Sequence, residues 1–144
     1  MPILQADTSQ DEFVSYAKHA AHYQEAAALS ASPGQLVVML YDHALLNLRR
    51  ARMAMERGDV EQRGVTLDRA RNVISELLST LDAERGGEVA NNLSALYVFL
   101  FGELVDMGSR PDVARLERVT AMVSELRDAF AEIAAARPSA LEVA

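Results

Sequence analysis

Few residues in this 144-residue chain could do chemistry, and those few are poorly placed for it. In "KHAAHYQEA", His19, His22 and Glu25 recur at intervals of three. His19 and His22 would share a helix face, and two imidazoles can begin a metal site, but no third or fourth ligand follows at compelling spacing. The plain reading is two exposed histidines. His43 follows Asp42, yet neighbours along a helix point apart and cannot form a hydrogen-bonded base and orienter. Glu84 with Glu88, and Glu103 with Asp106, read as solvated helix faces. No serine lies in a nucleophile-elbow motif, and no glycine pattern could cradle a phosphate. There is no cysteine, hence no disulfide, thiolate nucleophile or thiolate metal site. The sequence therefore predicts no catalytic, cofactor-binding or metal-binding residues, no cofactor and no enzyme.

Charge narrows the partners. The formal net charge is −7, with 21 acidic against 14 basic residues, and Lys18 is the sole lysine. Such a chain lacks the basic footprint that nucleic acid or an anionic membrane requires. No apolar run approaches a membrane span of ~20 residues, and no basic stretch followed by an apolar one suggests a secretory signal. The expectation is one soluble, cytoplasmic domain without membrane insertion or nucleic-acid binding. Its length suffices for a hydrophobic core without staples.

The elements that would position any site are helices. In "LSASPGQLVVMLYDHALLNL", Ser32 can cap a helix, Pro33 suits its first position, and Gln35 stands at capping-box spacing. This first helix runs from Pro33 to about Arg57 and stops at Gly58. Asp59, with Gln62 three residues on, opens a second that ends near Asp82. Gly86 and Gly87 form the clearest break. A third covers about Glu88 to Met107, ending at Gly108. A fourth starts near "SRPDVARL" and runs to about Ala136, before Pro138. Apolar residues recur at spacings of three and four in each: Val37, Leu40, Ala44, Leu48, Ala51 and Met55; Leu67, Ala70, Ile74, Leu77 and Leu81; Val89, Leu93, Leu96, Leu100 and Leu104; Leu116, Val119, Val123, Leu126, Phe130 and Ile133. Short links force consecutive helices antiparallel. The predicted fold is all-α, an up-and-down four-helix bundle over residues 33–137. Residues 1–32 are expected to be a mobile segment with a short, weakly docked amphipathic helix, and 138–144 a disordered tail.

The bundle carries more apolar surface than four stripes need. "LSALYVFLFGELV" adds Tyr97, Val98, Phe99, Phe101 and Val105 around most of one helix, and the first helix has a second line at Val38 or Met39, Leu46 and Met53. Half of such residues are expected as ordinary core. The remainder would form a groove for an amphipathic partner helix, and methionines would let it adapt. Met39, Leu46, Met53, Phe99 and Phe101 are the candidate partner-binding residues. Phe13, Tyr16 and Tyr23 are candidates for an N-terminal lid over that groove.

These residues carry a family resemblance. "SASPGQLVVMLYDHALLNLRRARMAM", the "GDV" after it, and "RARNVISELLSTLDAERGGEVANNLSALYVFL" are similar, in order and spacing, to the flagellar secretion chaperone family FliS, over about residues 23–133. His43 stands where that family commonly has glycine, "YVFLFGELV" is more apolar than usual, and the family's short tyrosine segment aligns with either Tyr16 or Tyr23. The resemblance implies an antiparallel bundle that holds the C-terminal segment of new flagellin in the cytoplasm, preventing premature polymerisation before export. The flagellar export apparatus is a further candidate partner, and a homodimer is left open. The competing expectation is a helical adaptor or regulatory bundle with a non-flagellin partner.

Overall fold

The computed structural model describes residues 32–136. Every regular element among them is helical: α1 (Pro33–Arg57), α2 (Val60–Ser79), α3 (Ala83–Ser109) and α4 (Val113–Ala136). The expected N-terminal helix, its lid residues Phe13, Tyr16 and Tyr23, the His19–His22–Glu25 set and the 138–144 tail lie outside the described residues.

Local chemistry sets the helix ends. The Ser32 hydroxyl accepts from the Gln35 N–H at 3.2 Å, while Gln35 Oε1 accepts from the Ser32 N–H at 2.9 Å. This reciprocal capping box satisfies two N–H groups that a helix start leaves without a partner. Gly58 closes α1 in the left-handed region at φ 68°, where a side chain would be strained. Asp59 opens α2, accepting from the Gln62 N–H at 3.0 Å.

Two boundaries differ from those expected. α2 ends at Ser79 rather than near Asp82, and Asp82 instead caps α3, accepting from the N–H groups of Glu84 and Arg85. A helical turn therefore forms ahead of the Gly86–Gly87 pair. Gly87, at φ 54° and ψ −128°, kinks α3 internally instead of ending an element.

The helices form an antiparallel bundle. α1 packs on α2 and α4, and α2 on α3; among these neighbouring pairs α3 and α4 pack least on each other, and α1 and α3 stand diagonally across the bundle. Ala44, Ala51 and Ala54 of α1 are fully buried, and their small size lets neighbouring helices come close. Leu48, Leu67, Ile74, Leu77, Leu100, Leu104, Met107, Leu116, Val119 and Val123 complete the core.

Tyr97 belongs to this core. Counted in the sequence among the surplus residues of its helix, it is fully buried and shares a hydrogen bond with the buried hydroxyl of Tyr41 across the diagonal. Tyr41 also lies against Phe130, ring centroids 5.4 Å apart. Burial raises both phenols above their ordinary pKa, Tyr41 most, so both remain neutral. Conversely, Val89 and Ile133, expected in core stripes, are exposed. The buried face of α3 passes through Ala90 and Tyr97, and that of α4 through Phe130 and Ala134. At 3.6 residues per turn a straight stripe drifts off its first phase over several turns. Leu93 and Leu96 are half-buried against the core.

Ion pairs tie the helices from outside. Arg127 donates to Asp42 at 2.8 Å, and Arg52 meets Glu117 at 3.0 Å, both joining α1 to α4. Being exposed, each contributes at most about 1 kcal/mol. Arg115 of α4 grips both Glu103 and Asp106 of α3. Arg63 Nη2 donates to the Gly108 carbonyl at 3.0 Å, holding the start of α2 to the end of α3.

Two outcomes test this packing. Tyr97→Phe leaves the buried Tyr41 hydroxyl without its partner and should cost about 1–3 kcal/mol, whereas Tyr41→Phe with Tyr97→Phe should cost clearly less than the two singles summed. Denaturant titrations of the four proteins decide it; additive losses would show that the hydroxyls do not act as a pair. The second concerns acid. Hydrogen bonds from Arg115 hold the Glu103 and Asp106 carboxyls below their ordinary range, helped at Asp106 by Arg110. A depressed folded pKa contributes stability above the unfolded value and loses it as pH falls through the folded one. Stability should therefore decline from about pH 4 downward, and Arg115→Met should flatten that decline. Urea midpoints across that range, equal in slope for both proteins, would contradict it.

Candidate partner-binding faces

All four helices expose large apolar side chains, α2 only Val60 at its first position. On α1, Leu46 is 41% and Met53 55% exposed, and Met39 is half-buried. The three are seven residues apart, so they lie in one row along the helix. Asp42 and Arg49 are exposed beside that row. The opposite face of α1, through Tyr41, Ala44, Leu48 and Ala51, is core.

On α3, Val98, Phe101 and Val105 form a second exposed row at helical spacing. Phe99, 50% exposed, projects from a different side, 100° around the helix from Val98. α4 exposes Ile133, and its Met122, Leu126 and Phe130 are half-buried against the core, as are Leu93 and Leu96 of α3. These half-buried residues belong to α3 and α4, the neighbouring pair that packs least on each other.

The five sequence-predicted binding residues therefore fall on two separate helices. Met39, Leu46 and Met53 share one row; Phe99 and Phe101 lie on α3 and do not share a face with each other. Sequence reasoning omitted Val98 and Val105 from that set, although their three- and four-residue spacing to Phe101 carried the signal.

Polar chemistry at these faces is sparse. Asn47 is fully buried on α1; its Nδ2 donates to the His43 carbonyl at 3.1 Å, while Oδ1 has no hydrogen-bond partner among the described residues. Burial, with a smaller contribution from Arg50, pushes the His43 imidazole below its ordinary pKa. Among the described residues, no group of three or more His, Asp or Glu side chains could hold a metal ion, and no helix is long and apolar enough to cross a membrane. The arrangement offers rigid apolar surface edged by charge.

A family model described as "Flagellar protein FliS" matches residues 16–137. The chain belongs to the FliS family. It is similar to the flagellar secretion chaperone FliS of Salmonella typhimurium, 42% identical over 110 residues that make up 76% of this chain and 82% of that protein. The flagellar secretion chaperone FliSB of Pseudomonas aeruginosa is 35% identical over 74% of this chain and 84% of its own length. The FliS of Bacillus subtilis is 34% identical over 75% and 80%. FliS proteins are chaperones by these names, which is not an enzyme class.

A change confined to the faces should leave the scaffold intact. Leu46→Glu and Phe99→Glu are each expected to shift the denaturant midpoint little, within about 0.5 kcal/mol, whereas Leu100→Ala in the core should cost about 2–5 kcal/mol. A large loss from either glutamate would show that its position is core.

Proposed function

We propose that this chain is a cytoplasmic flagellar export chaperone that holds the C-terminal region of flagellin and keeps it from polymerising before export. One observation carries the reading: a FliS-family bundle exposes apolar rows on α1 and α3 although its core is already filled. Large exposed apolar surface on a soluble bundle is a binding surface or a liability. A segment that is disordered when free loses conformational entropy on ordering, so it needs extensive apolar contact to bind. Rows spread over several helices supply that contact while each single contact stays weak, which keeps release feasible. The family names of the relatives support a secretion role, and the mechanism asks for no nucleotide, metal or covalent step.

Binding is of the helix-in-groove kind. The segment becomes helical as its apolar residues cover Leu46 and Met53 on α1 and Phe99 and Phe101 on α3. Since these sit on separate faces, the client must pass from one to the other and wrap the bundle rather than dock at a single spot.

The test is a filament-growth assay with flagellin and excess chaperone, beside titrations with full-length and C-terminally truncated flagellin. Growth should be suppressed, and truncation should abolish binding. Leu46→Glu and Phe99→Glu should each weaken binding about tenfold or more, as interface anchors do. Unchanged filament growth would overturn the flagellin assignment and favour an adaptor with another partner.

A further inference from the structure

The outer face of α3 holds a glycine that the fold does not require. Gly102 lies inside a 27-residue helix, where glycine is less stable than alanine because it loses more backbone freedom on folding. A Cβ there would meet nothing within 4 Å among the described residues, so no close approach inside the bundle explains it. The face around it runs through Asn91, Ala95, Val98, Gly102, Val105 and Ser109, all exposed and spaced alternately by four and three. That is the repeat of a helix seam. It carries no charged side chain along about 27 Å of helix, in a chain of net charge −7. Phe99 and Phe101, 50% and 38% exposed, flank it on its two sides. Asp106, the acid next to Val105, is matched by Arg110 and Arg115.

The order of these residues is the same in both directions. Outward from Gly102, each side gives a valine and then a small residue: Val98 and Ala95 one way, Val105 and Ser109 the other. A second copy laid antiparallel about a two-fold axis at Gly102 therefore sets Val98 opposite Val105 and Ala95 opposite Ser109. Glycine meets glycine at the crossing, where the missing Cβ lets two backbones come close. Charge favours the same occupant. Two chains of net charge −7 repel each other, and a face without charge is where they can meet. Burying the seam and its flanking rings removes on the order of 1,000 Å² from water, the lower limit for a specific interface. Such a pair is weak and dissociates on dilution.

We propose that two copies of this chain pair antiparallel through the outer face of α3, with Gly102 at the two-fold axis, when no client covers that face. The pair shields Val98, Val105 and the two phenylalanines from nonspecific association. Second copy and client then compete for α3. The competition rests on the reading of Phe99 and Phe101 as client contacts; the pairing rests on α3 alone.

Sedimentation equilibrium of the full chain from about 1 to 500 μM, a span suited to small interfaces, tests the pairing. Wild type should pass from monomer to dimer, and G102R should stay monomeric at the highest concentration. In dilute solution G102R should melt at or above the wild-type temperature, because its side chain enters open space. G102A should likewise firm the helix yet weaken the dimer, a pair of signs that a purely structural glycine would not give. The chain has no cysteine, so single cysteines report the arrangement: those near the axis come within disulfide reach of their own copy, and distant ones do not. G102C should cross-link into dimers on oxidation and N91C should not; the reverse would overturn the antiparallel arrangement. A monomer at every concentration, or a dimer that G102R leaves intact, would overturn the pairing and leave the face to the client or to residues 1–31. Adding the flagellin C-terminal fragment should convert dimers into a one-to-one complex. Dimers that bind the fragment and stay paired would overturn the competition. A chain without affinity for flagellin would overturn the client reading instead, with the dimer still decided by sedimentation and cross-linking.

Discussion

The hydrogen bond between the buried hydroxyls of Tyr41 and Tyr97 fixes the two helices that never meet side by side. α1 and α3 stand across the diagonal of the bundle, and their phenols reach into its centre. Neither group has water to fall back on there, so each depends on the other. An apolar contact tolerates sliding, but this pair holds only when α1 and α3 sit at one depth and one rotation. Phe130 against Tyr41 brings α4 into the same arrangement.

That constraint decides what remains outside. With Tyr41 and Tyr97 turned inward, Met39, Leu46 and Met53 must line the outer face of α1, and Val98, Phe101 and Val105 the outer face of α3. The exposed rows follow from the phase of the core. They also stand on a rigid platform, which reduces the ordering that a partner must impose on the chaperone itself. On the function proposed above, the disorder that is lost on binding would belong to the client; the chain's relatives are named secretion chaperones.

Much of this architecture was legible in the residues. Ser32, Pro33 and Gln35 marked the start of α1, Gly58 and Asp59 its junction with α2, and the spacings of three and four gave four helices. Where reading failed, the cause was long-range. Tyr97 looked like surplus because a single helix does not reveal which residue meets a hydroxyl from 56 positions away. Val89 and Ile133 looked like core because a stripe drawn at fixed spacing ignores the slow rotation of the buried face near helix ends. Gly86–Gly87 looked like a terminus because composition does not tell a kink from a break; the Asp82 cap decided it.

The central claim is that a fixed bundle presents preformed apolar rows that flagellin's C-terminal segment covers. The most direct measurement is a crystal structure of the complex between this chain and that segment. The account predicts client side chains over Leu46, Met53 and Phe99, with the Tyr41–Tyr97 hydrogen bond and the packing of α1 to α4 unchanged. A complex in which those residues stay exposed to solvent, or in which the client takes the place of a core helix, would contradict it.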